Sequence, residues 1–247
     1  MRRRLRRCGV MAANLAVLDD AQAMARHAAA WLLEKLDRAP RSMSAVCLCG
    51  GTTPRVLYET LAKMPLPWKR IHWFWCDERF VPYADPRSNY GMVQALLLAR
   101  APIPRANVHA IPTGRDTPEA AAAAYEEELK RFYGARTLAA DRLLFEVTFL
   151  GVGEDGHTAS LFPGSRVLHE RSRWAAAVSD AGPEARITLT YPVLESSRDA
   201  AFLVSGAAKR GITEEILGGA TDAPAARLRP AGRLHWFVDR AAAPQHA

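Results

Sequence analysis

The sequence predicts an α/β fold, a single domain built on a mainly parallel sheet with helices on both faces. Short apolar runs alternate with stretches of helical spacing along the chain. The helical stretches are long enough to carry the chain back to the start of a neighbouring strand, as parallel pairing requires. The clearest run, LLFEVTFLG at 143–151, is almost wholly apolar rather than alternating, which marks a strand buried on both faces.

The elements follow in order. Residues 18–39 (LDDAQAMARHAAAWLLEKLDRA) have helical spacing, with Asp19 or Asp20 as the N-cap. MSAVCLC at 43–49 is a buried strand, and Pro54 suits the first turn of the helix VLYETLAK. IHWFWC at 71–76 is a strand, and SNYGMVQALLLAR begins a helix at Ser88 or Asn89. Thr117, Pro118 and Glu119 supply a hydroxyl cap, a proline at N1 and an acid in the first turn of a long helix ending at FY. After the 143–151 strand come strands RITLTY (186–191), AAFLVSG (200–206) and LHWFVD (234–239), with a helix at 208–219 stopped by glycines. No repeat or linker interrupts them, so residues 14–240 are read as one domain.

The 247 residues suffice to bury a sizeable core. No apolar run approaches the roughly 20 residues of a membrane span. The net charge of +7 is dominated by five arginines in MRRRLRRCGVM and falls to +2 without them. That arm lacks the aromatics of a nucleic-acid surface and the apolar stretch of a signal peptide. It is expected to be a disordered extension over residues 1–13, with Val10 or Met11 as the true start. Cys8, Cys47, Cys49 and Cys76 show no C-x-x-C spacing, and Cys47 and Cys49 sit in an apolar run as small hydrophobes. A reducing cytoplasm without disulfides is expected.

Ligands of such sheets gather beyond the carboxyl ends of the strands, where three loops are chemically rich. CGGTTP (49–54) places two glycines and two hydroxyls, Thr52 and Thr53, before a helix whose first N–H groups are free for an anion. It lacks the lysine of a nucleotide P-loop. CDERFVPYADPRSNY (76–90) concentrates Asp77, Glu78 and Arg79 at a strand end, which suggests substrate contact. FLGVGEDGHTASLFPG (149–164) reads as G-x-G-x-x-G, but fits a dinucleotide poorly. Several strands precede it, Pro163 interrupts the helix that should follow, and Glu154 and Asp155 would repel a pyrophosphate. His157 offers instead a proton acceptor near neutral pH, with Asp155 two residues before it to fix its tautomer. No G-x-S-x-G nucleophile elbow occurs in the chain, so the pair points to activation of water.

CGGTTP, WCDERFVPYADPRSNYGM, LGVGEDGHTASLFPG, RITLTYPVL and FLVSGAAK resemble, in this order, the 6-phosphogluconolactonases. These belong to a wider superfamily that includes the glucosamine-6-phosphate deaminases. The resemblance implies a Rossmann-like domain without a nucleotide. It implies hydrolysis of 6-phospho-D-glucono-1,5-lactone in the oxidative pentose phosphate pathway, with no cofactor and no metal. It implies His157 as catalytic base and Gly51, Thr52 and Thr53 as the phosphate-binding turn. Arg79 then faces substrate, and Arg186 and Lys209 are further phosphate contacts. The expected partner is a phosphorylated sugar lactone, not nucleic acid or membrane, bound by a monomer or small homo-oligomer. Two alternatives stand beside this one. A deaminase of the superfamily resembles the chain in the Asp77 region, but reads D-E-Y for Asp77-Glu78-Arg79 and F-N-E-P where this chain has Ser160 to Pro163. A non-catalytic sugar-phosphate sensor usually appends a helix-turn-helix, and none is found.

Overall fold

The computed structural model describes residues 14–39, 43–180 and 182–245. The basic arm and Cys8 lie outside them, so the extension expected at the N-terminus is not described.

Seven strands form the main sheet: β1 (Asn14–Leu18), β2 (Ser44–Leu48), β3 (Ile71–Trp75), β5 (Val108–His109), β6 (Phe145–Leu150), β9 (Ser197–Val204) and β10 (Arg233–Asp239). Their spatial order is β1-β10-β9-β6-β2-β3-β5, and every neighbouring pair is parallel. All residues of β2 and β6 are buried, so both faces of the sheet centre are covered. A three-stranded antiparallel sheet, β4 (Asp77–Arg79), β8 (Arg186–Leu189) and β7 (Ala175–Val178), stands beside it in the order β4-β8-β7. RITLTY therefore departs from the sequence reading. Its first four residues are the middle strand of the small sheet, and Tyr191 already opens a short helix.

Three of the helices begin where a side chain satisfies a free N–H group. Asp20, rather than Asp19, caps α1 (Ala21–Arg38) by accepting from Ala23 N at 2.7 Å. After α2 (Pro54–Leu61), Ser88, rather than Asn89, caps α3 (Asn89–Val93) through Gly91 N at 3.0 Å. Thr117 caps α4 (Pro118–Tyr133) through Ala120 N. The single helix expected over 88–100 is α3 continued by one wider π turn at Gln94–Leu98, which buries Leu96 and Leu97. From α4, the Tyr125 hydroxyl accepts from Trp75 N and donates to Trp75 O, both at 2.9 Å, pinning the helix at the end of β3. The short α5 (Tyr191–Glu195) precedes β9, and α6 (Arg210–Gly218) and α7 (Pro224–Arg227) follow it. No helix among the described residues is long and apolar enough to cross a membrane.

Strand β2 is followed by β3 and β5 in one direction, while β6, β9, β10 and β1 run in the other. The order thus reverses between β2 and β6, and a crevice opens there at the carboxyl ends of the strands. At the opposite end, the fully buried carboxylate of Asp199 joins α1, β9 and β10. It meets Lys35 Nζ at 3.2 Å, Arg233 Nε at 3.0 Å and His235 Nε2 at 2.8 Å. Burial alone would raise this carboxyl, but its bonds to His235, Arg233 and Lys35 outweigh that and hold it below its usual value.

Asp199→Ala leaves buried Lys35 without its carboxylate and is expected to cost about 3–5 kcal/mol in denaturant titration. In the native chain a lowered carboxyl contributes fully above its unfolded value and loses that contribution as pH falls through its folded value. The stability difference between native chain and variant should therefore shrink in acid. A difference independent of pH would show that Asp199 acts through packing alone.

Candidate active site

The loops after β2, β3, β6 and β9 surround one cleft of ≈ 180 Å³ at the switch point, and β8 closes its side. Gly51, Thr52, Thr53, Asp77, Arg79, His157, Arg186 and Lys209 all line it. Asp155 stands behind His157. Residues separated by up to 158 positions in sequence are thus brought together by the ends of a few strands.

The turn after β2 is pinned by Tyr58, whose hydroxyl donates to Cys49 O at 2.5 Å. Gly51 has φ +95°, a conformation that favours glycine, and no atom stands within 4 Å of where its Cβ would be. The space above it is open for a ligand. Thr53 precedes α2, yet neither Thr53 nor any other side chain caps the helix. The hydroxyls and the first N–H groups are left to serve an anion. Cys47, Cys49 and Cys76 are free buried thiols beneath this floor, and burial pushes all three up from the usual thiol range.

The small sheet supplies the positive charge. Arg79 in β4 and Arg186 in β8 are direct cross-strand partners. Like charges directly opposite each other destabilise an antiparallel pair. Neither guanidinium has a carboxylate partner within 4 Å among the described residues, and in both Nε is buried without a hydrogen-bond partner. Arg79 is oriented by its Nη1, which donates to Arg87 O at 2.5 Å. Arg186 stacks over the Phe162 ring at 5.3 Å. Burial lowers the Arg186 pKa, Asp77 opposes that, and the Arg79 charge adds to it. Lys209, at the start of α6, brings a third cation to the cleft. Such a cluster is suited to receive an anion.

The turn after β6 answers what its three glycines do. A Cβ on Gly153 would lie 2.0 Å from His157 Nδ1 and 2.4 Å from Asp155 Oδ1. Gly153 is therefore the floor on which the histidine and its carboxylate rest. Gly156 has φ +79° and packs so closely that a Cβ would meet Ala223 at 2.5 Å. Gly151 faces the open cleft. The pattern folds the chain back under an imidazole rather than around a pyrophosphate.

His157 Nδ1 donates to Asp155 Oδ1 at 2.6 Å, and the same oxygen accepts from His157 N at 3.1 Å. A carboxylate oxygen can only accept, so Nδ1 carries a proton, and in the neutral tautomer this selects, Nε2 holds the lone pair. Burial works to raise the Asp155 carboxyl, but the two hydrogen bonds from His157 prevail and lower it. The imidazole stacks on Phe162 at 4.4 Å between centroids. Two residues on, Ala159 has φ +49°, the sole non-glycine in left-handed conformation among the described residues, at a cost of roughly 1–2 kcal/mol.

Sequence reasoning passed over Asn89 and Ser160. Asn89 was legible only as a possible cap, yet it lines the cleft and donates through Nδ2 to Asp77 O and Oδ1. Ser160 is buried and donates to Asp77 Oδ2 at 2.6 Å. Their signal was their place inside the D-E-R and D-G-H blocks, but no spacing rule relates the two. Glu78, read with Asp77 as a substrate-side charge, points the other way. It accepts from Asn89 N and Tyr90 N at 2.7 Å and anchors α3. No group of three or more His, Cys, Asp or Glu among the described residues is placed to hold a metal ion.

A carboxylate-backed histidine set across a cleft from three cations is an arrangement suited to proton transfer on a small anionic molecule. The comparisons specify the family. The family model described as glucosamine-6-phosphate isomerases/6-phosphogluconolactonase matches residues 19–236. The chain belongs to this family. It is 37% identical over 237 residues to a 6-phosphogluconolactonase of Nostoc sp., covering 94% of this chain and 98% of the relative. A crystal structure of 6-phosphogluconolactonase from Thermotoga maritima superposes with a TM-score of 0.81 at 30% identity, over 92% of this chain and 100% of that one. A monomeric glucosamine-6-phosphate deaminase shares the fold with a TM-score of 0.78 at 19% identity, over 93% of this chain and 98% of that one.

Two measurements check the geometry. In Gly153→Ala the new methyl displaces the imidazole from Asp155. The hydrogen-bonded Nδ1 proton expected in the native NMR spectrum should disappear while the melting temperature stays within a few degrees. Persistence of that resonance would show that the loop yields instead. Inorganic phosphate should raise the melting temperature by mass action, equivalent to about 2.7 kcal/mol at 100 times its Kd. Arg186→Ala should abolish the rise, and an undiminished rise would place the anion elsewhere.

Proposed function

We propose that the chain hydrolyses 6-phospho-D-glucono-1,5-lactone to 6-phosphogluconate, the lactonase step of the oxidative pentose phosphate pathway, with His157 activating water. The observation that carries this reading is the pairing, in one cleft, of unneutralised Arg79, Arg186 and Lys209 with a carboxylate-backed imidazole. A phosphorylated sugar needs the first, and opening an ester ring with water needs the second. The extended likeness to 6-phosphogluconolactonases supports the same substrate.

In this mechanism the phosphate occupies the turn at Gly51, Thr52 and Thr53 and is held by Arg186 and Lys209 through charge-assisted bonds. Nε2 of His157 takes a proton from water as the water oxygen bonds to C1. The carbonyl electrons move onto oxygen, and Arg79 or a loop N–H stabilises the oxyanion. The intermediate collapses by breaking the bond from C1 to the ring oxygen, and the imidazolium returns the proton to that oxygen. The new carboxylic acid then ionises. Asp155 fixes the tautomer and steadies the imidazolium throughout. No step calls for a cofactor or metal. The reading places the enzyme in the cytoplasm, as a monomer or small homo-oligomer that binds no nucleic acid.

The test generates the lactone from glucose 6-phosphate and follows its loss, with spontaneous hydrolysis subtracted. Native protein should accelerate the loss. His157→Ala should lose about 10²–10⁴-fold in kcat, the usual worth of general base catalysis. Lys209→Ala should chiefly raise KM, with some loss of kcat where remote binding energy is used in the transition state. Binding of sugar phosphate without turnover would favour a sensor instead. Near-normal kcat in His157→Ala would discard the base while keeping the activity.

A further inference from the structure

We propose that Asp77 is a positioning residue, whose carboxylate clamps the His157 loop onto the small sheet so that the base stands at a fixed distance from the arginines. The inference rests on the reading of His157 as base and deepens it.

The clamp is built on a cross-strand pair. Asp77 in β4 and Thr188 in β8 face each other in register, two residues along from the Arg79–Arg186 pair. Both grip the same residue of the histidine loop. Ser160 Oγ donates to Asp77 Oδ2 at 2.6 Å, and Ser160 N donates to Thr188 Oγ1 at 3.2 Å. Ser160 and Thr188 are wholly buried and Asp77 is 5% exposed, so these bonds are shielded from competing water. The other carboxylate oxygen of Asp77 accepts from Asn89 Nδ2 at 3.2 Å, and Asp77 O accepts from the same nitrogen at 3.0 Å. Asn89 in turn fills the space where a Cβ of Gly50 would fall, 1.9 Å from Asn89 Oδ1. One carboxylate therefore joins the histidine loop to α3, and α3 abuts the phosphate turn.

The loop needs such a restraint. Ala159, between His157 and Ser160, is in left-handed conformation, and Thr158 Oγ1 is buried without a hydrogen-bond partner. Both features oppose the observed conformation and persist only where surrounding bonds over-determine it. Ser160 is the residue at which those bonds act. Both oxygens of Asp77 are engaged by protein groups, which suits a scaffold better than a proton acceptor for substrate. The strand alternation fits as well: Glu78, its neighbour, turns away and fixes the start of α3 through Asn89 N and Tyr90 N.

The test is a double-mutant cycle read in kcat and KM. Ser160→Ala and Asp77→Asn should each lower kcat by about 10–100-fold, the scale of a misplacement near 1 Å, with KM changed less than about threefold. The double variant should be no worse than the weaker single variant, since both break one linkage. In a His157→Ala background, Ser160→Ala should cost nothing further. Thr188→Val, which removes the acceptor for Ser160 N together with the hydroxyl's donation to Leu189 O, should lower kcat in the same KM-neutral way. Thr188→Ser should restore it, and this pair carries the test if the Ser160 variant does not fold. Losses that multiply in the double variant, or a loss confined to KM, would make Asp77 a substrate contact and overturn the clamp. A crippled His157→Ala beside an unaffected Ser160→Ala removes the clamp alone. A near-normal His157→Ala removes the base reading and the clamp with it.

Discussion

The site depends on one electrostatic constraint: two arginines held side by side with no acid between them. Arg79 and Arg186 face each other across β4 and β8, and neither has a carboxylate within 4 Å among the described residues. In an exposed strand pair the two side chains would swing apart into water. Here they are half-buried, with Phe162 under one and the Arg87 carbonyl holding the other. The repulsion is tolerated because the rest of the domain fixes both strands. Leu189 N donates to Cys76 O at 2.8 Å, joining the small sheet to the end of β3, and α4 packs beneath β7 and β8. A dianion entering the cleft relieves the repulsion directly. Under the proposed function, affinity for phosphate is a property of the strand pairing as much as of any single residue.

Most of the architecture was legible because parallel strands announce themselves. The central runs are apolar on both faces, and every long helix carries a side-chain cap near the position its sequence suggests. Four strands were not legible, and two of them, β4 (DER) and β5 (VH), are too short to leave a run. β1 (NLAVL) is an edge strand with Leu15 and Val17 about 40% exposed, and its run merges with the polar start of α1. β7 (AAAV) is four residues of low strand propensity, ordered by pairing with β8 and by packing against α4. The second sheet was invisible for the same reason. Its middle strand reads like any buried run, and only the antiparallel partners distinguish it.

The residues of the cleft were legible to different degrees, and the difference has a physical basis. His157 and Asp155 are two positions apart, and their hydrogen bond is local, so spacing alone suggested it. Thr52 and Thr53 announce themselves by preceding a helix. Arg79 stood out among the charges at the end of β3, whereas Arg186 and Lys209 came from likeness to a family alone, because no local pattern marks them. Ser160 and Asn89 act through a shared carboxylate that lies 83 residues from one and 12 from the other. Contacts of that kind are products of topology, and no local rule contains them.

The glycines of GVGEDG show how one pattern serves two chemistries. In a dinucleotide site, the middle glycine lets the backbone approach a pyrophosphate. Here, the corresponding Gly153 lets an imidazole and a carboxylate lie on the backbone from above. Both uses need a missing Cβ at a strand end, so the motif records a close approach without saying what approaches. The side chains that follow decide. Glu154 and Asp155 would repel phosphate, and the cations that attract it sit across the cleft. The negative end of the site is thereby kept beside the base and the positive end beside the anion. Under the proposed function, that separation orients a phosphorylated ester with its carbonyl toward His157, an alignment which neither the glycines nor the arginines could impose alone.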